Sequence, residues 1–416
     1  MRKNLGRVLW ILAAAALAIG TSVSPVAAAG HGAKAPSPVP GFDGKTIRLG
    51  VITPLSGLAS VIGKPLTNGN LVYWQSVNAK GGVGGKYRVE LVQQDSQYMV
   101  ANALQGYDQI KDNVVAFDQV LGTQIVQAVL QRLKADGLTA APATLDSLWV
   151  KVPQLVPVGA PYQVEAVNGM DYYLKHGGQG KKICAIAQDD QYGGAGLQGL
   201  AFAASKLKFK VATTVRFATS SDVSAQVGQL ADAKCDAVFM ASVPNDTISI
   251  ATKMIGRSFT PQILGLGPTW LSGLEADPNL GSFLAQHYLY LGEGPAWGDT
   301  SVPGMAKMLA DVQQFSPSQK PDQYFAFGYV QSWAMDQVLE QAVKNGDLSK
   351  TGIQKAVRQI PKLTFQGLVG DYVYGNPASR NPPRDTSISK VVNGVPVGLQ
   401  IVAPSFVSSA AQQLKF

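Results

Sequence analysis

Histidine and cysteine are nearly missing from this 416-residue sequence, which holds three of the first and two of the second. So small a supply excludes a dedicated His/Cys metal cluster. Charge is sparse as well: 15% of residues are charged and 46% hydrophobic, a balance that excludes disorder as a description of the whole chain. Glycine (44) and proline (24) are plentiful but aperiodic, so a collagen-like repeat is out. Apart from one N-terminal run, no apolar stretch approaches the ~18 residues of a membrane-spanning helix. Enzyme signatures are equally thin. There is no G-x-S-x-G, and Gly81–Lys86 (GGVGGK) fails the phosphate-loop pattern because Lys80 and Tyr87 stand where glycine and a hydroxyl are needed. It reads as a glycine-rich turn before a strand. His176 and His287 have no nucleophile motif beside them and read as structural. No catalytic residue, cofactor or metal is expected.

The net charge is +8, of which Arg2, Lys3 and Arg7 supply part. The remaining excess is dispersed, without the clustering of a nucleic-acid footprint. Those three basic residues precede an apolar run, Val8 to Ile19, and an A-x-A site at Ala27-Ala28-Ala29. Residues 1–29 are thus predicted to be a secretory signal peptide, placing the mature protein in the periplasm or outside the cell. The alternative, an N-terminal membrane anchor, conflicts with a run shorter than the ~20 residues of a span. No cysteine stands near the cleavage site to accept a lipid. Residues 30–44, rich in proline and glycine and containing His31, read as a flexible linker.

From there one rhythm runs twice. Strand-like runs at Ile47–Ile52, Tyr87–Val92, Val114–Val120 and Leu138–Ala143 alternate with helical faces at Leu66/Tyr73/Val77, Leu104/Tyr107/Ile110 and Ile125/Val129/Leu133. The pattern restarts after the helical face Val164/Val167/Leu174, with strands at Ile183–Ala187, Val211–Phe217, Ala237–Ala241 and Ile263–Leu266. Between them lie helices marked by Leu197/Leu200/Ala204/Leu207, by Val223/Val227/Leu230 after the capping candidates Ser220 and Ser221, and by Ile248–Ile255. Such alternation predicts βαβ units, parallel sheets and two similar α/β lobes. The tail adds strands at Tyr288–Leu291, Val369–Tyr374 and Val397–Val402, and helices at Tyr324–Val343 and Gly352–Ile360; this returning chain completes the lobes.

Ligands of open parallel sheets bind beyond the carboxyl ends of strands. The first lobe offers Ser56, Gly57 and Leu58 there, then Gly122, Thr123 and Gln124, then Ala143 and Thr144. The second offers Tyr192, then Asn245 and Asp246, then Thr269 and Trp270. Hydroxyls and loop N–H groups suit a carboxylate or amide, and aromatic rings suit an apolar body. Singly, most such residues are turn or cap residues; their convergence in two lobes points to ligand binding. Cys184 falls mid-strand and Cys235 just before another strand of the second lobe, where they form either a disulfide or two small buried apolar residues.

The runs IRLGVITPLSG, NAKGGVGGKYRVELVQQD, AIAQDDQYGGAG and FATSSDVSAQVGQLADAKCDAVF resemble the type I periplasmic solute-binding proteins of ABC transporters, in the leucine/isoleucine/valine-binding branch. The resemblance runs from about Lys45 to about Val402. It implies two Rossmann-like lobes joined by a three-crossover hinge: residues 45–160 completed by about 287–362, and 161–286 completed by about 363–416. It also implies an open ligand-free form that closes on a small molecule. Gly122-Thr123-Gln124 and Ala143-Thr144 would hold a ligand carboxylate, Tyr192 would cover the ligand, and Leu55 to Leu58 would wall the side-chain pocket. The branch usually places a carboxylate after the second lobe's third strand to pair with a ligand ammonium. Here that stretch is Ser242-Val243-Pro244-Asn245-Asp246-Thr247, with the acid displaced. An unpaired buried ammonium is costly, so an amide, a carboxylic acid or an aromatic compound competes with an amino acid as ligand. The implied partners are that solute and a membrane permease, with the protein a monomer. A ligand-sensing receptor subunit using the same cleft is the alternative.

Overall fold

A computed structural model describes residues 35–416. The predicted leader and the first part of the predicted linker lie outside these residues. The rest of that linker is held in place. Phe42 is buried and meets the Tyr87 ring edge-on at 5.1 Å, while the Gly41 carbonyl accepts the Arg48 N–H at 2.8 Å. A single aromatic anchor overrides a composition of prolines and glycines.

The first lobe starts with β1 (Thr46–Thr53), α1 (Ser60–Ala79), β2 (Arg88–Asp95), α2 (Val100–Ile110), β3 (Ala116–Leu121), α3 (Thr123–Asp136) and β4 (Ala140–Ala143). Its strands form a parallel sheet in the order β2-β1-β3-β4. The chain then crosses to α4 (Tyr162–Tyr173), β5 (Ile183–Gln188), α5 (Gln191–Leu207), β6 (Val211–Phe217), α6 (Ser224–Asp232), β7 (Ala237–Ala241), α7 (Pro244–Gly256), β8 (Gln262–Leu266), α8 (Gly281–His287) and β9 (Tyr288–Gly292). It returns to the first lobe with α9 (Pro303–Phe315), α10 (Gln323–Lys344), α11 (Lys350–Gln359), β10 (Lys362–Leu363) and β11 (Tyr372–Val373). It crosses a last time to β12 (Thr386–Val391) and β13 (Leu399–Phe406). The second sheet runs β13-β12-β9-β8-β7-β5-β6, parallel except where β12 pairs antiparallel with β9 and β13. Every residue of β3, β5 and β7 is buried, as expected of parallel strands covered by helices on both faces.

The chain therefore passes between the sheets three times, as anticipated, but at other positions. Pairing of β9 with β8 puts Tyr288–Gly292 in the second lobe, so the return begins after Gly292 and not at 287. Leu363, Phe365, Leu368, Tyr372 and Tyr374 pack into the first lobe's core, carrying that lobe past 362. The strand expected over Val369–Tyr374 shrinks to β11. The capping serines are displaced as well: α6 has Val223 at its N-cap, and the Ser220 N–H is spent on Asp246.

α1 and α10 cross closely because each offers a glycine at the contact. A Cβ on Gly69 would collide with the Phe325 carbonyl oxygen, and one on Gly328 with that of Leu66. Asn70 Nδ2 then reaches the Gly328 oxygen (2.8 Å) and Ser332 Oγ (2.9 Å). In the second lobe, Cys184 on β5 and Cys235 just before β7 form a disulfide with their Cα atoms 5.9 Å apart.

Candidate ligand-binding site

The lobes are in contact. Asn245 Nδ2 donates to the Leu58 carbonyl at 2.9 Å, and the Tyr324 hydroxyl donates to the carbonyls of Pro268 (2.9 Å) and Trp270 (2.7 Å). Between them lies a cavity of about 180 Å³, lined from both lobes and the crossovers. It exceeds the ~150 Å³ of an engineered cavity that takes up benzene. The wall is mostly apolar. Ile62, Leu66, Leu121 and Val243 line one part; Leu368, Val369, Val397, Leu399 and Ile401 line another.

A polar belt interrupts this wall. Gly122, at φ +106°, ends β3 and starts α3 without a side-chain cap, leaving the helix N-terminus directed at the cavity rim. Thr123 and Thr144 are buried there, with their hydroxyl oxygens 2.6 Å apart. Tyr162, in the first turn of α4, and Tyr192, in the first turn of α5, meet edge-on with centroids 5.0 Å apart. The α5 turn is fixed by Asp190, whose Oδ1 accepts the Gly193 N–H at 3.0 Å. The Tyr192 hydroxyl is buried and has no partner.

Glu165 and Glu293 complete the belt and, among the described residues, are the only acids or bases with ionisable carboxyl, amine or guanidine groups in the lining. Glu165 accepts the Gly267 N–H at 3.2 Å, and Glu293 accepts the Ala160 N–H, tying two crossovers together. Glu293 is half-buried as a residue, yet its Oε2 is enclosed and unpartnered. Burial pushes the Glu165 carboxyl up to about 8. Burial and then the neighbouring Glu165 charge push Glu293 well above the carboxylate range.

A family model described as "Periplasmic binding protein" matches residues 46–394. The chain belongs to this family. Its members bind solutes for transport across a membrane and work outside the cytoplasm. No protein of curated function matches the sequence. Among solved structures, the binding protein is similar to a fatty acid ABC transporter substrate-binding protein from Thermomonospora curvata, at 27% identity over 91% of this chain and 96% of that one, TM-score 0.84. A branched-chain amino acid ABC transporter protein from Thermus thermophilus, with bound valine, shares the fold at 15% identity, 88% and 98% coverage and TM-score 0.74. So does a leucine-binding protein from Thermotoga maritima, at 17% identity, 86% and 98% coverage and TM-score 0.71. The likeness places the binding protein among type I, two-lobed members.

Of the strand-end residues singled out by sequence, Gly122, Thr123, Ala143, Thr144 and Tyr192 line the cavity. The others do not. Ser56 and Gly57 are exposed, and the Ser56 hydroxyl and N–H are turned onto Asp95. Leu58 and Asn245 are used in the contact between lobes. Gln124, the second residue of α3, is not part of the lining, and its Oε1 is buried without a partner among the described residues. Asp246 faces Ser220 from the first turn of α7, its Oδ1 accepting that N–H at 3.0 Å. Thr269 and Trp270 are core residues: the first bonds Leu266 O and the Tyr288 hydroxyl, the second sends Nε1 to Val397 O at 2.8 Å. Tyr98, Tyr162, Glu165, Tyr290, Glu293 and Tyr324 were not anticipated. A signal existed for Glu165, since an acid within the otherwise apolar start of a helix, PYQVEAV, has few reasons to be there.

Proposed function

We propose that this protein is exported by its N-terminal leader, captures a small apolar carboxylic acid between its lobes, and delivers it to the membrane permease of an ABC importer. The observation that carries the reading is the cavity itself: apolar walls from both lobes around a belt of hydroxyls and a helix N-terminus, with no Lys, Arg or His among the described residues of the lining. A helix N-terminus and two hydroxyls suit a carboxylate, and the remaining wall suits a hydrocarbon chain. The Thermomonospora curvata fatty acid-binding protein, with 27% identity over nearly the whole chain, supports the same ligand class. An α-amino acid fits less well, because Asp246 is engaged outside the cavity and burial disfavours the ionised form of the two carboxyls that do line it, Glu165 and Glu293. Titration calorimetry of the protein from residue 30 onward with octanoate, decanoate, leucine and valine tests this. Binding of the straight-chain acids with the amino acids silent is expected, as is loss of binding when Ala143→Trp fills the cavity. Tight leucine or valine binding, or acid binding untouched by Ala143→Trp, would overturn it.

A further inference from the structure

Two carboxyl groups in an apolar chamber are an unexpected neighbour for a ligand acid. Ionised, they would repel it through a low-dielectric medium. Among the described residues no cation offsets them. The groups near Glu165 are Gly267 N–H and the phenols of Tyr162, Tyr192 and Tyr290; those near Glu293 are Glu165 itself, Ala160 N–H, Asp385, Tyr290 and Tyr372. Every titratable neighbour is an acid or a phenol. The enclosed Glu293 Oε2 and the Tyr192 hydroxyl have no partner among the described residues. Tyr192 is only 2% exposed and lines the same cavity. Two buried polar groups without partners in one chamber point to hydrogen bonds completed by a ligand.

We propose that Glu165 and Glu293 carry their protons at neutral pH and act with Tyr192 as hydrogen-bond donors to the ligand's carboxylate, so that the acid is held by protonated carboxyls and hydroxyls in place of a cation. This rests on the apolar-acid reading above and adds its charge rule. A neutral carboxyl in an apolar site is a strong donor to an anion. Its raised proton affinity follows from burial and, at Glu293, also from the neighbouring Glu165 charge. The pair thereby couples ligand affinity to pH with a definite sign. While both are protonated, the carboxylate is accepted. Once one ionises, the acid is repelled, whereas a neutral amide of equal length is not.

The test is calorimetry with octanoate, octanamide and octylamine on wild type, Glu165→Gln and Glu293→Gln. In wild type, octanoate affinity is expected to fall by about tenfold or more between about pH 7 and pH 9, with octanamide changing less than about threefold. In Glu165→Gln, octanamide still binds and the octanoate fall shrinks to less than about threefold, because the group that titrates at about 8 is gone while a donor remains; in Glu293→Gln, where Glu165 is still present, the fall persists. Octanoate affinity that is flat with pH in wild type overturns the proposal while leaving the acid reading intact. Octylamine binding tighter than octanoate, and tightening with pH, also overturns it, since the pair would then act as a carboxylate acceptor. If none of the three probes binds, the ligand class proposed above fails, and this inference with it.

Discussion

Asn245 Nδ2 lies 2.9 Å from the carbonyl oxygen of Leu58, a hydrogen bond that joins the start of α7 in the second lobe to the loop after β1 in the first. Both residues follow strand ends, where a ligand contact was expected, and both instead hold the lobes together. Leu58 adds its side chain to a small apolar cluster shared by the lobes, with Ile62, Leu66, Leu121, Ala143, Val243 and Tyr324 at its centre. Closure of this kind shifts an open–closed equilibrium by the free energy of the contacts it makes.

Asn245→Ala removes one such contact, worth about 1 kcal/mol. Ligand affinity should fall by roughly fivefold, and small-angle scattering should show a larger radius of gyration without added solute. An unchanged radius and affinity would mean that the apolar cluster alone sets closure.

Tyr192→Phe separates ligand contact from folding. The hydroxyl is buried without a partner, so its removal relieves a desolvation cost and is expected to leave the unliganded protein as stable or up to about 1 kcal/mol more stable. Ligand affinity should nonetheless drop by roughly threefold to tenfold. Thermal unfolding with and without octanoate reads both effects. A loss of stability in the unliganded protein would place the hydroxyl in a structural bond.

The Cys184–Cys235 bridge closes a 51-residue separation between β5 and the start of β7. Chain-entropy arguments assign such a loop about 4 kcal/mol, with measured values commonly 2–4 kcal/mol. The Cys184→Ala/Cys235→Ala double variant should lose about that much in urea unfolding, and a reductant should lower the wild-type midpoint toward the variant's. Equal midpoints with and without reductant would show that the bridge does not form in the folded protein.

Much of the fold was legible because buried parallel strands are nearly continuous apolar runs. The expected Val211–Phe217 and Ala237–Ala241 coincide with β6 and β7. β12 escaped notice because half of TSISKV is hydroxyl residues and it becomes a strand only between β9 and β13. α9 was missed behind its Pro303-Gly304 start. In the site, strand-end reasoning found Thr123 and Thr144, whose positions follow from the sheet alone. It failed for Thr269 and Trp270, which tertiary packing turns into the core. It could not see Glu165 and Glu293, which come from a helix start and a crossover and meet only when the lobes are built.

Those glutamates belong to a wider set of buried acids that gives the protein an unusual pH dependence. Burial raises Asp118 to about 7, against hydrogen bonds from Ser332 and Trp74, and raises Asp336 and Asp322 to about 6 each. Glu165 stands at about 8. In the unfolded chain these groups lose their protons near the ordinary carboxyl values of 3.8 to 4.5. Above those values the folded state therefore binds more protons than the unfolded one, and stability falls as pH rises through about 4 to 8. Asp95, Asp136 and Asp311 act oppositely. Hydrogen bonds outweigh burial and hold them below 3.8, so their contribution is present above that value and lost as pH falls further. Stability should accordingly peak between about pH 4 and 5 and decline toward pH 8. A series of thermal midpoints from about pH 3 to 8 checks this, and Asp118→Asn should flatten the decline between about pH 5 and 7 because its burial no longer opposes ionisation. A midpoint that climbs steadily to pH 8 would show that these carboxyls ionise in the folded protein without penalty.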